Sequence, residues 1–247
     1  MKTSEYVPRF YHEWTKDRVL KTFEVKVRET ELWFRAEVNL VNDAVVLVKK
    51  YRHEIERYIA LRPEFQTSLV PITTRDVPEE TAIVQEMIKQ SATAGVGPMA
   101  TVAGAVAEFV GKKLLPQSTE LIIENGGDIF IASTKERIAG IYAGENNKFS
   151  GKLGIRLPPY PKGIGVCTSS GTVGHSLSFG TADAVVIISE STTLADAVAT
   201  SAGNHVKNVD DVEKAAEYAV NIPGITGAVI IKDERMAAAG MIELVKT

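Results

Sequence analysis

The hydrophobic and polar positions of this chain follow two periods, and each period predicts one kind of secondary structure. Apolar residues alternate with polar ones over residues 21–27 and 31–38, which predicts a β-hairpin near the start of the chain. From Asn42 to Pro63 the apolar residues recur at helical spacing. We therefore expect an amphipathic helix with Asn42 and Asp43 at its N-cap. Residues 1–16 predict a short edge strand or an arm.

The rest of the chain continues this mixture. Helices are predicted from Pro78 and after Gly95, and a second hairpin is predicted at Leu121–Ile131. Later strands are expected at residues 137–142, 152–157, 184–188, 226–232 and 236–245, and later helices from Ser191 and Asp210, with Pro158–Pro161 as an interruption. The sequence therefore predicts an α+β fold.

A repeated order of predicted elements suggests a duplicated unit. Met99–Ile131 contains a helix, a loop and a glycine hairpin, and Leu194–Ala239 contains two helices and a hairpin. We expect a single domain over residues 1–247, in which residues 1–94 supply an N-terminal hairpin and helices and residues 95–247 carry the motifs described below.

Composition and charge exclude several classes of protein. The 247 residues are 45% hydrophobic and 24% charged, which is typical of a soluble globular protein. The net charge is −3 with no basic block, so nucleic acid is not an expected partner. No apolar run predicts a membrane span, and the N-terminal residues do not predict a secretory signal. Because Cys167 is the single cysteine, no internal disulfide is possible, and we expect a cytoplasmic protein.

The segment from Gly165 to Asn204 carries the strongest candidate chemistry. A hydroxyl-rich turn, Thr168-Ser169-Ser170-Gly171, follows an apolar run, and a β-branched run then precedes the helix that opens at Ser191. Within that helix Asp196 and Thr200 are four residues apart, so their side chains meet on one face. A carboxylate beside a hydroxyl suits a hard cation, which takes oxygen ligands. The alternative is an ordinary helical turn, where the dipole favours an acid.

Two glycine-containing segments are candidates for contact with a phosphate group. Gly95 and Gly97 precede a helix of small residues and would leave backbone N–H groups at its positive end. The turn Asn125-Gly126-Gly127-Asp128 permits positive φ and brings backbone amides close to a bound group. A tight helix crossing and a plain hairpin turn explain the same residues without function, so both alternatives stay open.

The order of these motifs resembles that of the ApbE-like superfamily, which includes the thiamine-biosynthesis lipoprotein ApbE and the FAD:protein FMN transferases. The motifs are Asn125–Asp128, Thr168–Gly171, His175 and Leu194–Thr200. The segments Val96–Ala105 and Cys167–Ala184 look like those of a shorter cytosolic branch of that superfamily. The resemblance covers most of the chain from about Gly95 onward. It implies a T-fold-related architecture with antiparallel sheets packed against helices.

The resemblance also implies a ligand and a metal. In the transferases magnesium binds at the positions that correspond to Asp196 and Thr200, beside the FAD diphosphate. By the same resemblance the Asn125–Asp128 turn and Gly97 pass near the cofactor, and the Thr168–Gly171 turn borders the flavin pocket. The implied cofactors are Mg²⁺ and FAD, or a related ligand that contains a diphosphate.

Two segments of this chain differ from those of the transferases, and two residues have roles that the sequence leaves open. The helix over Thr101–Val110 lacks the lysine that the transferases carry there, and the segment from His175 to Gly180 replaces their His-Ile-Ile-Asp-Pro sequence. His175 is either a catalytic acid or base, since imidazole titrates near neutral pH, or a residue that hydrogen-bonds within a polar loop. Cys167 is either a nucleophile beside the hydroxyl turn or a small buried thiol.

Three functions are compatible with these features. The first is a magnesium-dependent enzyme acting on a flavin dinucleotide, by flavin transfer or by cleavage of the diphosphate. The second is a flavin- or nucleotide-binding accessory protein without turnover, with a role in sulfur metabolism. The third is a structural module whose small-residue helices form a homodimer interface. Turnover distinguishes the first two, whereas the third predicts no ligand and a large apolar surface.

Overall fold

A computed structural model describes residues 20–73, 80–172 and 179–247. The predictions for residues 1–16, for the helix start at Pro78 and for His175 concern residues outside these ranges. The strands are β1 Lys21–Val27, β2 Thr30–Ala36, β3 Leu121–Asn125, β4 Asp128–Ser133, β5 Arg137–Gly140, β6 Leu153–Leu157, β7 Tyr160–Ser169, β8 Ala184–Ser189, β9 Ile225–Lys232, β10 Arg235–Gly240 and β11 Leu244–Lys246. The helices are α1 Val41–Leu61, α2 Glu64–Thr67, α3 Ala82–Ala94, α4 Val102–Leu114, α5 Thr192–His205 and α6 Val212–Val220, with 3-10 turns at Pro98–Thr101 and Val209–Asp211.

Eight of the strands form one sheet, in the order β1-β2-β3-β4-β7-β8-β9-β10. Every neighbouring pair in it is antiparallel. The remaining three strands form a small antiparallel sheet in the order β11-β6-β5. The predicted α+β class, with antiparallel sheets and helices, is confirmed.

The connectivity of the large sheet contains a repeat. In the first half the hairpin β1–β2 is followed by helices α1 to α4 and then by the hairpin β3–β4; in the second half β7–β8 is followed by α5, α6 and β9–β10. The strands β4 and β7 join the two halves side by side. The repeat predicted from the sequence, Met99–Ile131 and Leu194–Ala239, includes only the later part of each half and not the strand pairs β1–β2 and β7–β8.

The two faces of the large sheet are covered by different layers. Helices cover one face and the small sheet lies on the other, and each layer has its own buried cluster. Strand β8 shows the arrangement clearly, since Val185 and Ile187 pack with α5 while Val186 and Ile188 pack with the small-sheet cluster. A strand buried on both faces reads as a continuous apolar run, as predicted for residues 184–188.

The starts of helix α1 and strand β7 differ from the sequence prediction. Helix α1 begins at Val41, and Asn39 rather than Asn42 or Asp43 accepts a backbone hydrogen bond at its start, from the Val41 N–H. Strand β7 already begins at Tyr160 and so contains Pro161, next to a shift in its register with β4. Proline is tolerated there because the ladder is already interrupted.

The last predicted strand, residues 236–245, is two strands in different sheets. Strand β10 ends at Gly240, which has a φ of +77°, and the chain then crosses to β11 beside β6. A Cβ at Gly240 would lie 2.5 Å from the Thr226 carbonyl oxygen, so the crossing requires glycine. A period of two alone does not report which sheet a strand joins.

Within the described ranges, no single helix has the length and apolar character of a membrane span. The pair Ala82–Ala94 and Pro98–Leu114 passes that test only jointly, with a bend of 101° between the two segments.

Candidate functional site

Several of the predicted site residues lie where β3, β4 and β7 meet the start of α4 and the middle of α5. Asp128 begins β4, opposite Asn125 on β3 and opposite Cys167 on β7. Cys167 belongs to the helix-facing cluster that includes α5, and Asp128, its partner in the ladder, is also buried. The antiparallel register therefore brings two predicted site motifs, 125–128 and 168–171, to one end of the sheet.

Helices α4 and α5 cross closely at Gly104. A Cβ on Gly104 would lie 2.5 Å from the Thr192 carbonyl oxygen and 2.8 Å from Cβ of Asp196. The small-residue helix of the sequence analysis thus forms a tight helix crossing, one of the two alternatives left open there. The crossing brings the Gly104 N–H within 2.8 Å of Oδ2 of Asp196, to which it donates.

The start of α5 is fixed from two directions. Ser191 accepts a hydrogen bond from the Leu194 N–H, as expected of an N-cap serine. From α4, the buried Glu108 carboxylate accepts hydrogen bonds from the Thr193 N–H and hydroxyl, each at 2.8 Å. The helix dipole also favours a carboxylate near the N-terminus of a helix. Glu108 thereby helps to set the position of Asp196. The sequence did not predict this role, although an acidic residue within an apolar helix is a signal that could have indicated it.

Asp196 is a buried carboxylate with backbone amides and a second carboxylate nearby. It is 9% exposed, and Asp128 is 8% exposed. Burial, together with the nearby charge of Asp128, raises the pKa of Asp196 well above its ordinary value, although hydrogen bonds from the Gly104 and Ala103 amides oppose this. None of the ion pairs among the described residues involves Asp196. The environment therefore disfavours a negative charge that a bound cation would stabilise.

Thr200 is more exposed than the residues of α5 that precede it. The residues from Thr192 to Ala199 are buried, whereas Thr200, one turn after Asp196, is partly exposed. One turn further on, Gly180 lies against the helix, where a Cβ would come within 1.8 Å of the Gly203 carbonyl oxygen. We call the stretch of α5 between Asp196 and Gly203 the α5 slot. Its seven-residue length corresponds to about 10 Å along the helix axis.

The glycine turn between β3 and β4 stands beside α4. Gly126 and Gly127 both have positive φ, 71° and 112°, as predicted for this turn. The Asn125 side chain donates to the Ala103 carbonyl oxygen at 3.0 Å, which ties the turn to the start of α4. A Cβ on Gly127 would lie 3.6 Å from the Thr168 carbonyl oxygen, so this turn borders the end of β7.

The hydroxyl turn after β7 leads towards the α5 slot. Thr168 and Ser169 end β7 and are partly exposed, as is Ser170. The Gly171 N–H donates to the Ala182 carbonyl oxygen at 2.8 Å. A Cβ on Gly171 would lie 2.2 Å from the Gly180 carbonyl oxygen, so this turn packs directly on the segment that covers α5.

Gly95 and Gly97 have structural roles in the described structure. Gly95, with a φ of +71°, terminates α3, and the Gly95 and Val96 amides donate to carbonyl oxygens of α3. A Cβ on Gly97 would lie 1.8 Å from the Ser68 carbonyl oxygen. The α4 amides that reach an anion are those of Ala103 and Gly104, and their partner is Asp196. Contact of Gly97 with a ligand stays a prediction.

Cys167 has the properties of the buried thiol of the sequence analysis. It is fully buried and donates to the Thr192 carbonyl oxygen at 3.3 Å. Burial and the charges of Asp128 and Asp196 raise the pKa of its thiol well above the usual range. Since the thiolate is the nucleophile, this environment favours a packing role.

The donor set suits a hard cation only in part. Asp196 and Thr200 supply a carboxylate and a hydroxyl, which are the oxygen ligands that Mg²⁺ prefers. Across the described ranges no group of three or more His, Cys, Asp or Glu side chains is arranged to hold a metal. These residues therefore fit a cation that takes its other ligands from water and from a bound phosphate, as Mg²⁺ commonly does.

Comparisons with known proteins identify the family and the fold. A family model described as "AbpE bacteria" matches residues 12–236. A UPF0280 protein of Methanocaldococcus jannaschii is 41% identical over 241 residues, which cover 95% of this chain and 94% of that protein. A UPF0280 protein of Methanocella arvoryzae is 38% identical over 224 residues, covering 90% and 89% of the two chains.

Two solved structures share the fold at low sequence identity. The flavin transferase ApbE from Vibrio cholerae aligns with a TM-score of 0.56 and 9% identity over 89% of this chain and 96% of its own. The flavinyl transferase ApbE from Pseudomonas stutzeri, in its apo form, aligns with a TM-score of 0.52 and 11% identity over 89% and 93%. At such identities the likeness concerns the fold alone.

Proposed function

The chain belongs to the ApbE family, and on that premise we propose that it binds FAD or a related dinucleotide together with Mg²⁺ and cleaves the diphosphate. Cleavage would break one phosphorus–oxygen bond of the diphosphate, release AMP and pass the FMN phosphoryl group to water or to an acceptor hydroxyl. The names of the structural neighbours, a flavin transferase and a flavinyl transferase, support the flavin as the first ligand to test.

The observation that carries the proposal is the environment of Asp196. A buried carboxylate beside a second carboxylate, with no cationic side chain of the described residues paired to it, is costly for the free protein. A carboxylate whose pKa is strongly raised by burial and by a nearby charge is a candidate functional residue. The cost is explained if a divalent cation binds between Asp196 and an anionic ligand in the α5 slot.

Different residues of this site would bind the cation and the ligand. Asp196 and Thr200 would hold Mg²⁺, which supplies charge neutralisation of the diphosphate and of its leaving group. Asp196 already occupies the amides at the start of α4, so the phosphates would be held through the cation and not by those amides. The glycine turn 126–127 offers further backbone close to the slot, and the Thr168–Gly171 turn would border the ligand.

Calorimetric titration of FAD, with and without Mg²⁺, tests this proposal. We expect binding that requires Mg²⁺ and is lost in Asp196→Ala. Asp43→Ala is the matched control, because Asp43 is an exposed acid in the first turn of α1 and should leave binding unchanged. Mg²⁺-independent binding, or equal binding by both variants, contradicts the assignment of Asp196.

A second candidate function is binding of the flavin without turnover. It is favoured by the buried state of Cys167 and by the absence of lysine from Thr101–Val110. Both candidates predict Mg²⁺-dependent binding of FAD. Release of AMP from FAD on incubation with the protein and Mg²⁺ identifies the enzyme, whereas bound FAD recovered intact identifies the binding protein.

A further inference from the structure

Phe179 is an exposed aromatic residue whose backbone is held firmly at the end of the α5 slot. Phe179 is 53% exposed. Its N–H donates to Oδ1 of Asn204 at 2.9 Å, and its carbonyl oxygen accepts from Nζ of Lys207. The next residue, Gly180, rests on Gly203. The chain thus fixes this backbone at three points and still leaves the ring outside the core.

The position of Phe179 relates it to the proposed cation site. Asn204 lies two turns after Asp196 and one turn after Thr200, so it belongs to the same side of α5. Eight residues correspond to about 12 Å along the helix. A sugar or a sugar alcohol separates the diphosphate from each ring in a dinucleotide. A diphosphate at Asp196 and Thr200 would therefore place one ring near Phe179.

Other exposed apolar residues do not share these features. Val46 lies on α1 and Met241 on the connection between β10 and β11, and single exposed apolar residues of this kind are normal. Within the described part of the chain, the ring of Phe179 stacks on no other aromatic ring. No described aromatic side chain therefore covers the face that we propose for a planar ligand.

We propose that Phe179 is the stacking surface for an aromatic ring of the dinucleotide, and this rests on the proposed function. Stacking of a planar base on an aromatic side chain has a substantial effect on affinity and tolerates different bases. Phe179 is thus a specificity residue for ligands that carry a ring, and not for the diphosphate itself. Its backbone anchors, Asn204 and Gly203, position the ring without contacting the ligand.

The test compares ring-containing and ring-free ligands in the presence of Mg²⁺. For Phe179→Ala we expect FAD to bind about tenfold more weakly or worse, while inorganic pyrophosphate binds as in the wild type. Phe179→Tyr should restore FAD binding, since it keeps the ring. Val46→Ala is the control, as an exposed apolar residue remote from the slot. Separate titrations of FMN and of ADP show which ring depends on Phe179.

The outcomes separate the two proposals. Wild-type binding of FAD that is unchanged in Phe179→Ala overturns the stacking role and leaves the proposed function intact. An equal loss of pyrophosphate binding also overturns it, because it shows a general effect on the site. If the wild type binds neither FAD nor pyrophosphate, both proposals fail. Equal thermal unfolding of wild type and variant confirms that the exposed substitution leaves the fold unchanged.

Discussion

Two carboxylates of this protein have similarly small exposed fractions but opposite environments. Glu120, before β3, is 5% exposed, and Asp196, on α5, is 9% exposed. Oxygen atoms of Glu120 accept from the Ser133 hydroxyl at 2.6 Å, from the Thr134 N–H at 2.8 Å and from the Arg137 guanidinium. Asp196 accepts from backbone amides and faces Asp128.

The direction of each pKa shift follows from these partners. Partial burial opposes ionisation of Glu120, but the hydrogen bonds from Ser133, Thr134 and Arg137 outweigh it and lower its pKa to about 2. Burial and Asp128 raise the pKa of Asp196. The exposed fraction alone therefore does not decide what an acid does. Glu120 has a cationic partner and stabilises the fold, whereas no described cation pairs with Asp196, which is why we propose it as a ligand of Mg²⁺.

The largest expected effect comes from removing the paired acid. Glu120→Ala should lower the free energy of unfolding by about 3–5 kcal/mol, because Arg137, whose side chain is 11% exposed, loses its carboxylate partner. Denaturant titration measures it. Glu136→Gln is the matched control, since Glu136 pairs with Arg156 at the surface, and it should change stability little. Equal effects of the two substitutions would contradict the distinction drawn here.

A smaller effect should appear with acid. The folded pKa of Glu120, about 2, lies below its ordinary value of 4.5, so the folded protein binds fewer protons than the unfolded chain between these values. The stabilisation is complete above pH 4.5 and is lost as the pH falls towards 2, by about 2–3 kcal/mol. Denaturant midpoints measured from pH 6 to pH 2.5 check this. Glu120→Gln should remove this part of the pH dependence, and an unchanged slope would contradict the assignment.

The smallest expected effect is a gain in stability. Asp196→Asn removes the buried charge that faces Asp128 and keeps an oxygen for the Gly104 N–H, so the ligand-free variant should be about 1–2 kcal/mol more stable at pH 7. Asp211→Asn is the opposite control, because hydrogen bonds from the Lys207 and Asn208 amides lower the pKa of Asp211, so its charged form is stabilised in the fold and the variant should lose stability. Chemical denaturation without Mg²⁺ measures both. A destabilised Asp196→Asn would show that the carboxylate is structural.

Some features of the site were readable in the sequence. The spacing of Asp196 and Thr200 on one helix fixes their common face, and the paired glycines 126–127 require the positive φ that the structure has. The apolar run at residues 184–188 identified the buried strand. These are local properties, since helical periodicity and glycine chemistry depend on neighbours in the chain.

Other features depended on contacts between distant residues. Glu108 reaches α5 from 85 residues away, and the Gly104 amide reaches Asp196 from 92 residues away. No local pattern reports such a crossing. The sequence likewise left the role of Gly95 open, because ending a helix and binding a phosphate both require a glycine there.

The sequence by itself determined the class of fold, the helical face of Asp196 and Thr200, and the family to which the chain belongs. The tertiary structure decided which charges are paired. Arg137 comes to Glu120 and, among the charged side chains of the described residues, Asp128 comes to Asp196, because the strand register and the crossing of α4 with α5 place them there. The energy of a buried charge depends on the groups around it in space, and these groups are distant from it along the chain.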